Sequence, residues 1–168
     1  MAARDWDVLS PLSPLSKSAV RACARAAGLP NWDWAASPCL RSRLALGVPA
    51  TASRLGLVEE AEAAVASVLG LGPHDAFRVR VVADGAAEVA LEPRALAAAG
   101  ARDGESWGPG EVAVERGAGG GRASPSMSGG ALAGEVVLQL LSLGFESVRF
   151  RRFRSGELAG VADLLERH

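Results

Sequence analysis

The sequence is poor in the residues that build metal sites and disulfide frameworks. Its 168 residues include only two cysteines and two histidines. Cys23 and Cys39 are too few and too widely spaced for a disulfide framework or for a zinc or iron–sulfur motif. His74 and His168 are isolated from each other, which argues against a histidine-based metal site or catalytic triad. We therefore expect no bound metal and a reducing compartment.

Long hydrophobic runs and a dominant charge are also missing. The longest apolar runs fall far short of the roughly 20 residues that a membrane-spanning helix needs. Residues 1–7 carry two aspartates in place of the apolar core of a secretory signal. The net charge is −1, so no basic field attracts nucleic acid or an anionic membrane. These absences predict one soluble domain spanning residues 1–168, with no nucleic-acid or membrane partner. A cytoplasmic location is favoured and an organellar one is left open.

Periodicity and capping residues predict helices and strands in an order typical of an α/β (α+β) domain. The predicted helices span residues 17–27, 52–69, 93–99 and 131–143, and the predicted strands span residues 77–82, 86–91 and 147–152. A small three-stranded sheet with helices packed on one face is the natural packing for this order. Cys23 lies on the apolar face of the first helix, which predicts a small buried core residue.

Residues 100–130 are rich in glycine, serine and proline and poor in apolar residues. That composition predicts a long, flexible, disordered insertion at about residues 100–130. Within it, Ser128-Gly-Gly130 resembles the start of a pyrophosphate-binding loop. No hydrophobic strand precedes this segment, however, so backbone N–H groups are not presented to phosphate at a helix start. We therefore predict no nucleotide site in this chain.

Four arginines close together form a second charged feature near the end of the sequence. They are Arg149, Arg151, Arg152 and Arg154. Guanidinium groups suit phosphate, so the cluster is a candidate phosphate site. The alternative is one solvated face of a strand followed by a loop. The residues themselves leave both interpretations open.

The irregular stretch over residues 31–50 contains the strongest candidate for chemistry, Cys39. Aromatic, cysteine and arginine residues crowd a segment without helical or strand period, and loops carry function more often than cores do. Arg41 and Arg43 follow the cysteine closely. Nearby cations favour the reactive thiolate form of cysteine, and guanidinium groups bind anionic substrates. The residues alone leave two alternatives for Cys39, a reactive thiol and a buried structural cysteine.

Segments around Cys39 and further along the chain resemble a known family, the ATP-dependent sacrificial sulfur transferases (the LarE family). The first set comprises Ser10-Pro-Leu, Leu15-Ser-Lys17, Gly28-Leu-Pro30, Trp32-Asp33, Ala36-Ser-Pro-Cys-Leu40 and Ser42-Arg43. The later set comprises Ala61-Glu62, Phe77-Arg-Val-Arg80, Asp84, Leu143-Gly-Phe145 and Arg154-Ser-Gly156. The chain is similar to the carboxy-terminal domain that follows the family's pyrophosphate-loop (PP-loop) domain, and the PP-loop domain itself is absent.

The resemblance implies a reaction in which the protein gives up a sulfur atom. In the family, ATP and Mg²⁺ serve the PP-loop domain, which adenylates a substrate carboxylate; we expect this chain alone to bind neither. The cysteine matching Cys39 attacks the activated carbonyl, its Cβ–S bond then breaks, and dehydroalanine remains. Glu62 is the candidate base for that elimination. Arg43, Arg78 and Arg80 are the candidate substrate-binding residues.

The expected substrate is a small anion, a nicotinate-derived mononucleotide of nickel-pincer cofactor biosynthesis, and the family tends to form homo-oligomers. The chain also departs from the family pattern. The family's Ala-Arg-Ile-Glu reads Ala87-Glu-Val-Ala90, and Arg151 replaces an acid. The lysine of Trp-Asp-Lys-Pro-Ala is missing from Trp32-Asp-Trp-Ala-Ala36. The chain is therefore not expected to be active alone. The alternative is a non-catalytic relic that acts as a binding or oligomerisation domain.

Overall fold

The computed structural model describes residues 11–82, 84–108 and 130–154. The chain divides into two compact units, Met1–Ala35 and Ala36–His168. Most of the predicted insertion, residues 109–129, lies outside the described residues. Within the described part of the chain, no helix is both long enough and apolar enough to cross a membrane.

The first unit is built around helix α1, Lys17–Ala26. Ser16 caps its start, because the Ser16 side chain accepts a hydrogen bond from the backbone N–H of Ala19 at 3.2 Å. Gly28 follows the helix end with φ of 70°, a left-handed conformation that glycine adopts without a side-chain clash. The predicted helix is therefore confirmed, and it ends one residue earlier than expected.

The expectation that Cys23 is a buried core residue is wrong. Helix α1 has no buried residue, and Cys23 is exposed. A unit of this length cannot enclose an apolar core, since chains below about 40 residues bury too little surface. Two contacts among its described residues are a cation–π contact and a hydrogen bond. The Arg25 guanidinium lies 5.0 Å from the centroid of the Trp32 ring, and Arg21 donates a hydrogen bond to the backbone oxygen of Trp34.

The second unit contains a sheet with helices packed against it. Its described helices are α2 (Ala52–Leu69), α3 (Pro93–Ala99) and α4 (Ala131–Ser142), and a 3₁₀ helix spans Leu40–Arg43. Its described strands are β1 (Phe77–Val81), β2 (Ala87–Leu91), β3 (Ser106–Trp107) and β4 (Val148–Arg152). The strand order is β1-β2-β4-β3. Strand β2 is antiparallel to β1 and parallel to β4, and β3 is antiparallel to β4.

Capping residues explain where the helices of this unit begin and end. The Thr51 side chain accepts a hydrogen bond from the backbone N–H of Arg54 at 3.3 Å, which starts α2. Pro93 stands in the first turn of α3, where its missing N–H is not needed. Gly70 and Gly100 end α2 and α3 in the left-handed conformation, with φ of 63° and 73°. These predicted boundaries are confirmed.

The α+β class is confirmed, but the sheet has four strands where the sequence predicted three. The additional strand, β3, lies in the segment assigned to the insertion. It is held against β4, since the Gly104 N–H donates to the Phe150 carbonyl at 2.9 Å and the Phe150 N–H donates to the Glu105 backbone carbonyl at 2.8 Å. Trp107 is buried edge-on against Phe150, with ring centroids 5.6 Å apart. Composition averaged over the whole segment hides a two-residue strand that one tryptophan anchors.

The two faces of the sheet differ because successive side chains of a strand point to opposite sides. One face is apolar and packs against α2, α3 and α4. Val79, Val89 and Phe150 lie on it and are fully buried. The opposite face is charged, and strand register places Arg80 beside Glu88. The candidate site lies on this charged face of the sheet, which carries Arg78, Arg80, Glu88, Arg149 and Arg151, and on the loop beside it.

Close backbone approach explains one glycine of the rejected pyrophosphate motif. The Gly130 N–H donates to the Gly100 carbonyl at 3.1 Å, where the start of α4 meets the end of α3. A Cβ added to Gly130 would lie 2.4 Å from the Ala99 carbonyl oxygen. Contacts this short do not occur in folded proteins, so helix packing requires glycine at this position. The observation agrees with a structural role for Gly130.

Candidate functional site

Cys39 ends an irregular stretch, residues 36–39, that leads into the 3₁₀ helix Leu40–Arg43, and we call residues 36–42 together the Cys39 loop. Pro38 precedes it, and Cys39 itself is the residue that caps the helix, with extended backbone angles. The Ser42 backbone N–H and hydroxyl both donate to the Cys39 carbonyl, at 3.0 and 2.8 Å. Cys39 is exposed. Of the two alternatives that the sequence left open, a buried structural cysteine is therefore wrong.

The buried guanidinium of Arg43 holds this Cys39 loop from inside. Arg43 is only 1% exposed. Its Nη1 donates to the Pro38 carbonyl at 2.6 Å, to the Cys39 carbonyl at 3.4 Å and to the Ser42 hydroxyl at 3.1 Å. Its Nη2 donates to the Ser37 hydroxyl at 3.3 Å. A guanidinium turned inward in this way positions the backbone of the cysteine. The predicted role of Arg43 in binding substrate stays a prediction.

Glu62 joins this loop to the helical layer and the sheet. Its Oε1 accepts hydrogen bonds from Arg43 Nε at 2.9 Å and from the Val79 backbone N–H at 3.2 Å. Glu62 reaches both because it neighbours Ala61 on α2, which is buried against the sheet. Its side chain is 19% exposed, and Oε2 accepts none of the hydrogen bonds found among the described residues. Oε2 is thus the carboxylate oxygen left for the predicted role of Glu62 as a base, and that role stays a prediction.

Arg78 on β1 forms a second clamp on the same loop. It donates hydrogen bonds to the carbonyl oxygens of Ala36 and Phe77, and its guanidinium lies 5.3 Å from the centroid of the Phe153 ring. Burial is the main cause that lowers the pKa of Arg78 from its ordinary value. The positive charge of Arg43 lowers this pKa further, and the negative charge of Glu62 opposes the shift. The positive charges of Arg43 and Arg78 therefore lie close enough beside the Cys39 loop to repel each other.

Arg80 points toward a different partner, although it stands two residues from Arg78 on the same face. Its Nη1 lies 3.2 Å from Oε1 of Glu88, the residue directly opposite it on β2. The other oxygen of Glu88, Oε2, lies 3.2 Å from Nη1 of Arg151 on β4. Arg80 and Glu88 are only 6% and 7% exposed. An Arg80–Glu88–Arg151 network thus crosses three neighbouring strands.

The structure brings most of the predicted site residues together. Arg43 contacts both the Cys39 loop and Glu62, and Arg78 contacts the same loop. Arg41 is exposed and donates to the Leu44 carbonyl at 3.4 Å. The sequence prediction missed Glu88, although strand alternation places it on the same face as the arginines of β1. A register for the β1–β2 hairpin would have found that pairing.

Within the described residues, no group of three or more histidine, cysteine, aspartate or glutamate side chains lies close enough together to hold a metal ion. No protein-family model matches the chain, and no curated protein matches it either. The resemblance to sulfur transferases therefore depends on the sequence segments quoted above, and the geometry is independent of it.

Proposed function

We propose that this chain is the sulfur-donor and substrate-binding part of a LarE-like sulfur transferase, in which Cys39 gives its sulfur to an adenylated carboxylate. The observation that carries the proposal is the exposed Cys39 on a loop that two buried arginines clamp, with a carboxylate attached to one of the clamps. A sacrificial cysteine must be accessible to its substrate while its backbone stays fixed. This loop meets both conditions.

The proposed reaction has two steps whose atoms balance. First, the Cys39 thiolate attacks the acyl adenylate carbon; a C–S bond forms, the C–O bond to the phosphate breaks, and AMP leaves. Second, a base removes the Cα proton of Cys39, the electron pair forms the Cα–Cβ double bond, and the Cβ–S bond breaks. The substrate departs as a thiocarboxylate and dehydroalanine remains. Glu62 is the proposed base, with Oε2 as the proton acceptor.

The roles of the arginines follow from what they touch. Arg43 and Arg78 bind loop carbonyls, so we assign them to positioning the cysteine. Arg80 lies next to Arg78 on the charged face and is the proposed contact to an anionic substrate, a nicotinate-derived mononucleotide. Formation of the adenylate needs ATP and Mg²⁺, and we assign that step to a PP-loop domain, because no described residues of this chain suit it. A reducing cytoplasm would keep the Cys39 thiol available.

Two departures from the family pattern contact each other, which supports the resemblance. Glu88 stands where the pattern has arginine, and Arg151 stands where the pattern has an acid. These two side chains form an ion pair of 3.2 Å. A change of only one would have placed like charges together at a buried position, which is strongly unfavourable. We interpret the departures as an exchange of charges that keeps one ion pair.

The decisive experiment is intact-mass analysis of the purified chain, alone and after co-expression with a PP-loop ATPase domain, followed by peptide mapping. We expect a loss of about 34 Da, the mass of H₂S, at Cys39 in the co-expressed sample. Cys23 is the internal control, because it is also exposed but lies on α1, away from the clamped loop in sequence. A Cys39→Ser variant should show no loss.

The outcome that contradicts the proposal is an intact thiol on Cys39 when the co-expressed domain is active and a carboxylate substrate is supplied. Equal loss at Cys23 and Cys39 would also contradict it, because such loss would reflect general chemical elimination. Conversion of Cys39 alone supports it.

One observation favours the second candidate, a non-catalytic domain that binds a partner or assembles with copies of itself. Arg43 and Arg78 donate to the protein's own backbone, and Glu62 accepts from Arg43 and Val79. Such internal pairing is what a purely structural network shows. Sedimentation analysis of the wild type and of Cys39→Ser, combined with the mass of the wild-type Cys39 peptide, separates the candidates. Equal assembly of both proteins with no loss of about 34 Da at Cys39 favours the non-catalytic domain, whereas that loss favours sulfur transfer.

A further inference from the structure

Four arginines share the charged face of the sheet, the face opposite helices α2 to α4, and we call it the arginine face from here on. Its members are Arg78, Arg80, Arg149 and Arg151. Glu88 is the carboxylate that strand register places among them. These five side chains, four arginines and one glutamate, carry a net charge of +3. Like charges repel on a protein surface, so an arrangement of this kind favours an anion beside it.

Strand register orders these side chains in two rows across the sheet. Arg80, Glu88, Arg149 and Ser106 are partners from strand to strand in one row. Arg78, Ala90 and Arg151 are partners in the next row. Arg149 and Arg151 therefore stand side by side on β4, about 6.6 Å apart along the strand from its rise per residue. Arginine side chains are long enough that two of them at this backbone spacing can bind the same phosphate group or two linked ones.

The two arginines of β4 differ from those of β1 in what they contact. Both oxygens of Glu88 are engaged, one by Arg80 and one by Arg151. Arg149 is half-buried beside Glu88, yet its side chain makes no hydrogen bond or ion pair with any described residue, and only its backbone pairs with the neighbouring strands. The Arg151 side chain keeps 30% of its surface exposed. Ser106, the row neighbour of Arg149, is exposed as well.

We propose that the arginine face binds a phosphate-bearing ligand at Arg149 and Arg151, with the Ser106 hydroxyl as a third donor. Guanidinium groups present paired N–H donors that match phosphate oxygens, and a hydroxyl on the neighbouring strand adds one more. Glu88 does not oppose the anion, because two arginines neutralise it. The proposal is independent of the sulfur-transfer chemistry, since none of the three donors touches the Cys39 loop in the described contacts.

The test is titration of the full chain with inorganic pyrophosphate by isothermal calorimetry at constant ionic strength. We expect saturable binding to one site in the wild-type protein. The Arg149→Gln variant should bind about tenfold more weakly, the effect of losing one charge-assisted contact to phosphate. Arg149→Lys keeps the positive charge but lacks the paired N–H donors, so its affinity for pyrophosphate should lie between those of the wild type and Arg149→Gln.

Arg152→Gln is the matched control. Arg152 is the next residue of the same strand after Arg151, but its strand partner is Leu91 on the apolar side of the sheet. We expect its affinity for pyrophosphate to stay within about twofold of the wild type. Because Arg149 has no described partner to lose, circular dichroism and thermal unfolding of the Arg149→Gln variant should match the wild type.

Three outcomes would overturn the proposal. The first is the absence of saturable binding in the wild-type protein. The second is equal weakening in the Arg149→Gln and Arg152→Gln variants, which would indicate general charge attraction. The third is a dimer in sedimentation equilibrium that Arg149→Gln dissociates and pyrophosphate does not, which would identify a second copy of the chain as the occupant of the arginine face.

Discussion

Arg43 and Glu62 form an ion pair beneath the Cys39 loop, with Nε of Arg43 2.9 Å from Oε1 of Glu62. The two residues are 19 positions apart and belong to different elements, the 3₁₀ helix and α2. The same glutamate oxygen accepts the backbone N–H of Val79 on β1. One carboxylate oxygen therefore links loop, helix and strand, so that the position of the cysteine and the stability of the fold depend on the same contact.

Removal of the Arg43 side chain should destabilise the protein and loosen the Cys39 loop. Arg43→Ala leaves Glu62 without its buried cation, and loss of one partner of such a pair costs about 3–5 kcal/mol. Urea denaturation measures the change in free energy of unfolding. Alkylation of Cys39 should accelerate relative to Cys23 in the same molecule. Arg41→Ala is the control and should change stability by less than about 0.5 kcal/mol, because Arg41 is exposed. Similar losses in both variants would contradict the clamp.

Substitutions of Glu62 should separate its charge from its hydrogen bonds. Glu62→Gln keeps an acceptor for the Val79 N–H and should cost about 1–2 kcal/mol, whereas Glu62→Ala leaves Arg43 without that partner and should cost about 3–5 kcal/mol. Glu59→Gln, on an exposed position of α2, should be neutral. If Glu62 is the base, the Gln variant keeps its fold and Cys39 retains its sulfur. A Gln variant that converts Cys39 at the wild-type rate rules out the base role.

Removal of the Glu88 carboxylate should be among the most damaging single changes in the sheet. Glu88→Ala removes the carboxylate that both Arg80 and Arg151 contact, and we expect a loss of about 3–5 kcal/mol in the free energy of unfolding. Addition of pyrophosphate should restore part of the lost thermal stability, because an anion at Arg149 and Arg151 would offset the missing carboxylate. Glu60→Ala, exposed on α2, serves as the control. A change as small as that of the control would mean that the charge network does not stabilise the fold.

Two glycines should respond to alanine in opposite directions. Gly130→Ala introduces a Cβ 2.4 Å from the Ala99 carbonyl oxygen and 2.6 Å from the Gly100 Cα, and we expect a loss of about 2 kcal/mol or more. Gly56 lies inside α2, and apart from its chain neighbours and the backbone of its own helix no atom lies within 4 Å of an added Cβ. Gly56→Ala should stabilise the protein by about 0.5–1 kcal/mol, because alanine favours helix. Thermal unfolding measures the stability of both variants. A Gly130→Ala variant as stable as the wild type would contradict the close approach of α3 and α4.

Helix boundaries could be predicted from local sequence because capping is a local interaction. Ser16 and Thr51 accept hydrogen bonds from the first turns that follow them, and glycines end α2 and α3. Whether Cys23 is buried or exposed could not be predicted from the periodicity of its helix, and the prediction that it is buried was wrong. Periodicity identifies an apolar stripe but does not show what covers it, and the described helix α1 has no buried residue.

The candidate site shows the same division between local and tertiary information. The residue types and the spacing of Cys39, Arg41 and Arg43 indicated a reactive loop. The structure shows that the thiol is exposed, and its reactivity stays a prediction. The sequence did not indicate that Arg43 and Arg78 would turn inward to bind loop carbonyls. A guanidinium can bind substrate or backbone equally well, and only the packing of neighbouring elements selects its partner.

By itself, the sequence determined the α+β class, the helix caps, the β1–β2 hairpin and the choice of Cys39 as the candidate nucleophile. Each of these depends on residues close together in the chain or on the alternation of side chains along one strand. Only the tertiary structure decided that β3 joins the sheet, that Glu88 lies between Arg80 and Arg151, and that the arginines of β1 and β4 share one face. These relationships depend on strand order and register, which long-range pairing sets and local sequence does not.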